Sequence, residues 1–255
     1  MKFIDLNCDM GELSESLADG TQEELMRYVS SVNIACGGHA GDAATMRATV
    51  EQALRYDVSV GAHPGYEDLA NFGRKELQLT PNEVSASVYR QITTLHEIAT
   101  RCGAEVGHVK AHGALYNHAA REPSLARAIA EGVLRWRTDV VLVGLAGSAM
   151  LQEFSAAGFP VAAEAFADRR YESDGSLRLR KFSDAVLHDP GEAAEQALQI
   201  VERGCVTAAD GSTLSLQADT ICIHGDTPGA VEIASAVSRR LRDAGLTIRP
   251  INAGK

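Results

Sequence analysis

The chain has 255 residues, of which 45% are hydrophobic, and it carries a formal net charge of −10. This length allows one large domain with a full core, which we take to span residues 1–255. The negative charge, distributed along the chain, argues against nucleic acid or an anionic membrane as the main partner. The chain begins without the apolar core of a signal peptide, and its five cysteines show no CxxC spacing. We therefore expect a cytoplasmic protein with reduced thiols.

Strand-like and helix-like segments alternate along the sequence. Predicted strands cover residues 4–9, 32–36, 58–62, 106–112, 140–145, 161–166 and 220–224, with 246–251 as a short eighth candidate. One predicted helix begins after Asp42, and a second runs from Pro81 to about Arg101. Two more begin at Pro123 and near Ser148, and the last two cover 192–203 and 230–244. This alternation favours a closed α/β barrel with parallel strands, in particular an irregular seven-stranded (β/α) barrel. A doubly wound open sheet is the alternative.

One face of the predicted strands is polar. In the strand over 106–112, alternation places His108, Lys110 and His112 on the same face. Similar positions, within or just past other strands, hold Asn7, Asp9, Asn33, His39, Ser59, His63, Glu164, His224 and Asp226. A single buried histidine is usually structural, but burying so many polar groups without a ligand or one another is costly. Because the carboxyl ends of parallel barrel strands meet at one mouth, we expect these side chains to form an active site there.

Three long loops, over residues 10–20, 64–80 and 167–189, follow predicted strands and should cover the same mouth. In the third loop, Asp174-Gly175 is typical of a hairpin turn. The turn is flanked by the cations Arg169, Arg170, Arg178, Arg180 and Lys181. This cluster predicts a site for a carboxylate or phosphate, with a solvated surface hairpin as the alternative.

Phosphate-binding and nucleophile motifs are missing from the sequence. Residues 37–42 place glycines between a strand and a helix N-terminus, which suits an anion. However, neither GxGxxG nor GxxxxGK[ST] occurs, and there is no GxSxG. The sequence therefore indicates neither an ATP site of its own nor a covalent nucleophile.

The motifs together resemble one family over nearly the whole chain. They are Asp5-Leu-Asn-Cys-Asp-Met-Gly-Glu12, Asn33-Ile-Ala-Cys-Gly-Gly-His-Ala-Gly-Asp42, Gly61-Ala-His-Pro-Gly-Tyr66, Asn71-Phe-Gly-Arg74, 108–117, Glu164-Ala-Phe-Ala-Asp-Arg169 and Cys222-Ile-His-Gly-Asp226. In this order they resemble the LamB/YcsF family of lactam utilisation proteins. The resemblance implies an irregular seven-stranded barrel of the glycoside hydrolase/deacetylase type. It also implies an ATP-dependent 5-oxoprolinase, which opens 5-oxo-L-proline to L-glutamate while ATP becomes ADP and phosphate, and which acts with subunits B and C.

Roles within the site follow as hypotheses. Asp9 or Glu164 is the expected base for water, and His63 or His224 the expected proton donor to the departing nitrogen. Lys110 and His112 are expected to stabilise an oxyanion or phosphate. Arg169 or Arg180 is expected to hold the substrate carboxylate. The remaining predicted substrate-binding residues are Asn7, His39, Asn117 and Asp226. ATP is expected to bind with or through the partner subunits.

Three positions depart from the family pattern and bear on substrate choice: Ala111 where proline is common, Ala43 after Asp42, and Glu67 after Tyr66.

Two other functions stay open. The first is a metal-dependent amidohydrolase or deacetylase acting alone, with Asp9, His39 and His63 as ligands of Zn²⁺ or a similar ion. The second is a non-catalytic protein that binds a lactam or a sugar.

Overall fold

Seven parallel strands close into a barrel in the computed structural model, which describes residues 2–251. The strands of the described part are β1 (Phe3–Met10), β2 (Ser31–Ala35), β3 (Ser59–His63), β4 (Val106–Lys110), β5 (Val141–Leu145), β6 (Val161–Phe166), β7 (Cys205–Thr207), β8 (Thr213–Ser215), β9 (Thr220–Ile223) and β10 (Thr247–Ile248). Strands β1 to β6 pair in sequence order, β9 pairs with β6, and β9 returns to β1. The predicted seven-stranded barrel is confirmed, and the closing β9–β1 pairing excludes an open doubly wound sheet.

Helices cover the outside of the barrel. They are α1 (Ser14–Ala18), α2 (Thr21–Leu25), α3 (Ala43–Arg55), α4 (Pro81–Cys102), α5 (Gly113–Arg121), α6 (Pro123–Leu134), α7 (Ala149–Ala156), α8 (Pro190–Arg203) and α9 (Ala230–Asp243). Asp42 caps α3 by accepting from two backbone N–H groups, and Thr80 and Pro81 start α4. Gly103, with φ of 82°, ends α4 as predicted. Among residues 2–251, no helix is long and apolar enough to cross a membrane.

The outward side chains of the strands form the apolar layer beneath these helices. Leu6, Ile34, Val60, Val109 and Ile221 alternate with polar neighbours, and each is at most 3% exposed. Period-two alternation therefore separates an outer apolar face from an inner polar face, as predicted. The hydrophobic effect holds the helices on the barrel, while the barrel interior stays free for polar groups.

The structure corrects the predicted end of the fourth strand. β4 stops at Lys110, and His112 is the N-cap residue of α5, with φ of −93° and ψ of 146°. Helix α5, which precedes the predicted helix at Pro123, was missed. Gly113 has a φ of 51°, a backbone angle that is typical of turns, but a nine-residue helix begins at this residue. His112 thus lies at a strand-to-helix corner rather than inside a strand.

Two further differences concern short strands. β7 and β8 form an antiparallel hairpin that the sequence did not predict, because both strands have only three residues. The predicted eighth strand is reduced to β10, which pairs with Phe3 and Ile4 at the start of β1. It is not one of the seven strands of the closed ring.

A buried carboxyl group lies toward the amino-terminal end of the barrel. Asp5 is 1% exposed and accepts hydrogen bonds from the hydroxyls of Ser30, at 2.7 Å, and Ser31, at 2.6 Å. Thr220 Oγ1 donates to its second oxygen. Burial raises the pKa of Asp5 to about 6, against the lowering effect of these hydrogen bonds. The folded state therefore binds a proton at Asp5 that the unfolded chain releases at lower pH.

This proton should be visible as pH-dependent stability. Because the folded pKa of Asp5 exceeds the unfolded value near 3.8, its contribution to stability falls as pH rises from about 4 to about 6. The full change corresponds to about 3 kcal/mol. The Asp5→Asn variant cannot titrate here, so the wild-type free energy of unfolding should fall relative to the variant's over this range. Urea unfolding at several pH values measures this difference, and a difference that is constant with pH would contradict the assignment.

Candidate active site

A chain of hydrogen bonds crosses the barrel interior from β4 to β1. Gly61 makes room for the first link, since a Cβ there would lie 2.0 Å from His108 Nε2. His108 is fully buried, which lowers its pKa to about 3, so the neutral ring donates through Nε2 to Asn33 Oδ1 at 2.9 Å. Asn33 Nδ2 in turn donates to Asn7 Oδ1, at 2.7 Å, and to Asp9 Oδ1, at 2.8 Å. The polar strand faces thus fix one another's orientation.

Lys110 lies at the centre of this interior. Its Nζ is 2.9 Å from Asp9 Oδ1, 2.9 Å from Glu164 Oε1 and 3.3 Å from Asn7 Oδ1. It also donates to Cys222 Sγ at 3.1 Å. Burial disfavours the ammonium, but the neighbouring Asp9, Cys222 and Glu164 raise the pKa of Lys110 well above its ordinary value. The side chain is 3% exposed and holds a fixed positive charge beneath the barrel mouth.

The two carboxylates beside Lys110 differ in their access to the cavity. Glu164 is completely buried and also accepts from Asn7 Nδ2 at 3.0 Å. The side chain of Asp9 is 9% exposed and lines the cavity at the mouth. Burial alone would raise the pKa of Asp9, but His63 and Lys110 hold it well below its usual range. Asp9 is therefore an ionised carboxylate that a ligand in the cavity can reach.

Three imidazoles surround a second carboxylate, Glu12. Its Oε1 lies 2.9 Å from His39 Nε2, 3.1 Å from His112 Nδ1 and 3.7 Å from His63 Nε2. Burial would raise the pKa of Glu12, but the neighbouring His112 and His39 lower it. His63 Nε2 is also 3.3 Å from Asp9 Oδ2, which joins this cluster to the Lys110 group.

An Asp–His pair lies just past the carboxyl ends of β6 and β9. His224 Nδ1 lies 2.9 Å and 3.1 Å from the two carboxylate oxygens of Asp168, which also accepts from the backbone N–H of His224. The Phe166 ring stacks on the imidazole at 5.4 Å between centroids. Asp168 is fully buried, which raises its pKa, but contact with His224 brings the net pKa below the usual value. This contact orients Nδ1–H toward the carboxylate and leaves Nε2 available.

A cavity of about 940 Å³ at this mouth is lined by Asp9, Glu12, Lys110 and His224, and also by residues of the 167–189 loop. Arg169 is 5% exposed and donates to the backbone carbonyls of Arg178 and Ala185. Burial, and the nearby charge of Arg180, lower the pKa of Arg169 to about 10. Arg180 is more exposed and lies 3.7 Å from Asp226. The rim of this acidic protein's cavity thus carries several arginines, which suit an anionic ligand.

The structure brings the predicted catalytic residues together at this mouth. The cavity is lined by Asp9, His63, Lys110, His112 and His224, while Glu164 lies beneath it in contact with Lys110. Four predicted substrate-binding residues also line it: Asn117, Arg169, Arg180 and Asp226. Asn7 and His39 are buried behind them. Their roles stay predictions.

Sequence reasoning missed three residues of this site. Glu12 and Asp168 both lie within three residues of a predicted strand end, where parallel barrels place functional groups. That rule, applied strictly, would have identified them. Arg74, which pairs with Asp226 at the rim, lies in a long loop and gave no such signal.

Two groups of side chains have ligand-type atoms within 4.8 Å of one another: Glu12, His39, His63 and His112, and Asp9, Cys222 and His224. The predicted ligands His39 and His63 are therefore grouped with Glu12 and His112. Asp9, the third predicted ligand, lies beside this cluster and pairs with Lys110.

The fold and the mouth together define a deacetylase-type (β/α) barrel with carboxylate, imidazole and cationic side chains in one cavity. A family 4 carbohydrate esterase from Streptomyces lividans has a TM-score of 0.54 at 10% identity, covering 98% of this chain and 93% of that one, which shows a shared fold. The LamB/YcsF family model matches residues 4–255.

The chain belongs to the LamB/YcsF family, as its motifs predicted. It is 51% identical over 249 residues to the 5-oxoprolinase A subunit of Chloroflexus aggregans, covering 98% of this chain and 99% of the relative. A crystal structure of the lactam utilization protein from Thermus thermophilus has a TM-score of 0.90 at 42% identity, covering 98% of this chain and 99% of that one. These relatives have nearly the same length as this chain, so the likeness concerns the whole barrel.

Proposed function

We propose that this chain is the ring-opening subunit of an ATP-dependent 5-oxoprolinase. The reaction converts 5-oxo-L-proline to L-glutamate while ATP becomes ADP and phosphate, and subunits B and C complete the enzyme. The names of the relatives support this substrate and a multi-subunit enzyme. The observation that carries the proposal is Lys110, an ammonium held between Asp9 and Glu164 beneath a cavity with cations at its rim.

The coupling to ATP follows from the chemistry of a lactam. An amide carbonyl is a weak electrophile, and transfer of the γ-phosphoryl group to the lactam oxygen makes its carbon open to attack. Water adds to this carbon, the C–N bond breaks, and the nitrogen takes a proton, which leaves an acyl phosphate. A second water hydrolyses the acyl phosphate to glutamate and phosphate. ATP binds with or through the partner subunits, since this sequence lacks a phosphate-binding loop.

Asp9 and Lys110 promote the attack of water on the lactam carbonyl carbon. Of the two candidate bases, Asp9 lines the cavity, whereas Glu164 is fully buried as a counter-ion of Lys110. Asp9 accepts the proton of the attacking water. Lys110 stabilises the negative charge that develops on the oxygen or phosphoryl group, in a site from which most water is excluded.

His224 donates the proton to the departing nitrogen. Its Nδ1 is held by Asp168, so Nε2 is the nitrogen left for the substrate. On the rim, Arg180 is the better partner for the substrate carboxylate, because Arg169 already donates to two backbone carbonyls of its own loop.

The Asp168→Asn variant tests this pair. An amide leaves His224 without its carboxylate partner, so we expect kcat for glutamate formation to fall roughly 10²-fold with little change in KM. The Asp168→Glu variant keeps a carboxylate and should recover part of the loss. Steady-state kinetics of the reconstituted enzyme measure both effects. A rise in KM with an unchanged kcat would assign Asp168 to substrate binding instead.

The function itself is tested by glutamate formation from 5-oxoproline, with this chain alone and with subunits B and C, each with and without ATP. We expect product only when ATP and the partners are present. The cluster around Glu12 supports a second candidate, a metal-dependent amidohydrolase acting alone. That enzyme would release product without ATP and would lose activity to a chelator. Tight lactam binding without turnover in any mixture would instead indicate a binding protein.

A further inference from the structure

We propose that Glu12, His63 and His112 form a site for one divalent transition-metal ion at the barrel mouth, with the His39 ring stacked beside them. The site and this ring come from four separate segments: the loop after β1, the loop after β2, the end of β3 and the corner before α5. The proposal rests first on which nitrogen atoms in this cluster carry hydrogen.

Two backbone carbonyls fix the hydrogen positions on two of the rings. His63 Nδ1 lies 2.8 Å from the carbonyl oxygen of Lys110, and His112 Nε2 lies 3.0 Å from that of Phe72. A carbonyl oxygen only accepts, so each of these nitrogens carries the hydrogen and donates. In the neutral rings, the lone pairs are therefore on His63 Nε2 and His112 Nδ1.

These two lone-pair nitrogens face each other at 3.0 Å. Glu12 Oε1, also an acceptor, is 3.1 Å from His112 Nδ1 and 3.7 Å from His63 Nε2. The three side chains are at most 8% exposed, so bulk water does not separate the atoms. Acceptors that converge in a buried space need a positive charge between them. A single proton can join only two of the three, whereas a metal ion can contact all of them.

The spacing fits a metal ion. With bonds near 2.0–2.1 Å, the ligand atoms of a tetrahedral zinc site lie about 3.4 Å apart. The separations between 3.0 Å and 3.7 Å in this cluster bracket that value. Imidazole nitrogens with one carboxylate suit Zn²⁺ and neighbouring first-row ions rather than Ca²⁺ or Mg²⁺.

His39 supports the group from one side. Its ring stacks on His112 with centroids 3.5 Å apart and an angle of 3° between the planes, and its Nε2 lies 2.9 Å from Glu12 Oε1.

Glycines hold the stacked rings in place. A Cβ on Gly73 would lie 2.6 Å from His39 Cβ, and one on Gly65 would lie 2.8 Å from His39 Nδ1. The backbone approaches the ring on both sides, so the rings have little freedom to turn away. Such rigid support is typical of pre-organised metal ligands.

A divalent ion here would act as a Lewis acid close to the proposed base, since Asp9 Oδ2 lies 3.3 Å from His63 Nε2. This use in ring opening rests on the proposed function, whereas the binding site itself rests on geometry alone. The two ideas can therefore fail separately.

The test titrates Zn²⁺ and Co²⁺ into the full chain after dialysis against a chelator. Calorimetry should show one equivalent bound, and Co²⁺ should give the visible absorption of a nitrogen-liganded ion. Glu12→Gln and His112→Ala should each weaken the affinity more than about tenfold. The matched control is His118→Ala, which removes a partly exposed histidine paired with Tyr66 outside the cluster and should leave the affinity unchanged. Circular dichroism verifies that each variant folds.

Zinc-edge X-ray absorption of the wild-type chain gives a second readout that needs no variant. At least two imidazole ligands would support the site, and a shell of water oxygens alone would overturn it. Equal affinity of the wild-type and His112→Ala chains would also overturn it. Metal binding without glutamate formation in the complete enzyme would leave the site standing and remove the proposed function. Chelator-resistant glutamate formation by metal-free protein would keep that function and exclude a role for the ion in it.

Discussion

Replacing Lys110 by methionine is expected to lower kcat for glutamate formation about 10²–10³-fold in the reconstituted enzyme. The methionine keeps most of the side-chain length but removes the positive charge that, in our proposal, stabilises the reacting oxygen. It also leaves Asp9 and Glu164 in a buried space without their shared cation. We therefore expect the free energy of unfolding to fall as well, because an uncompensated buried charge is costly.

The control for this variant is Lys75→Met, which removes an exposed lysine. Urea unfolding separates the two effects, and kinetics are compared under conditions where both variants are folded. If folded Lys110→Met protein opens the lactam within a few-fold of the wild-type rate, Lys110 is not part of the chemistry.

The second large effect is expected for Asp9→Asn, with a fall in kcat of about 10²–10⁴-fold. Burial disfavours the ionised carboxylate, but His63 and Lys110 keep the pKa of Asp9 well below its usual range. The wild-type carboxylate is therefore ionised at neutral pH and has a free lone pair for the proton, whereas asparagine cannot act as a base. Single-turnover measurements, which follow ring opening apart from product release, detect this loss directly.

Asp243→Asn serves as the matched control, since Asp243 is an exposed residue at the end of α9. Because the pKa of Asp9 is well below its usual range, protonation of Asp9 should not lower the wild-type rate as pH falls from neutral to mildly acidic values. If the Asp9→Asn variant opens the lactam about as fast as Asp243→Asn, another group is the base. The neighbouring His63 ring would be the first candidate to test.

Much of the barrel and its polar mouth could be predicted because the strands follow simple rules. Lys110 and Asp9 occupy inward positions fixed by period two, and the carboxyl ends of parallel strands meet at one place. Their 2.9 Å contact joins residues about 100 positions apart, yet alternation and topology alone place them together. The recurrence of polar residues at one register was the informative signal.

The remaining features depend on tertiary contacts that no local pattern encodes. His112 takes its position from the carbonyl of Phe72 and from stacking on His39, so its strand alternation was only an approximation. Glu12 follows a glycine with φ of 72°, and its direction is set by rings from other segments. Arg74 reaches Asp226 across more than half of the sequence. Side chains on long loops are positioned by the whole fold, which explains why they were missed.

The most direct test follows glutamate and ADP in the same reconstituted enzyme, comparing the wild-type chain with the Asp9→Asn, Lys110→Met double variant. Wild type should produce glutamate and ADP in equal amounts. The folded double variant, assembled with the same partners and ATP, should produce less than about one-hundredth of the wild-type glutamate. Glutamate formation at the wild-type rate by the double-variant enzyme would contradict the account, because ring opening would then take place outside the mouth of this barrel.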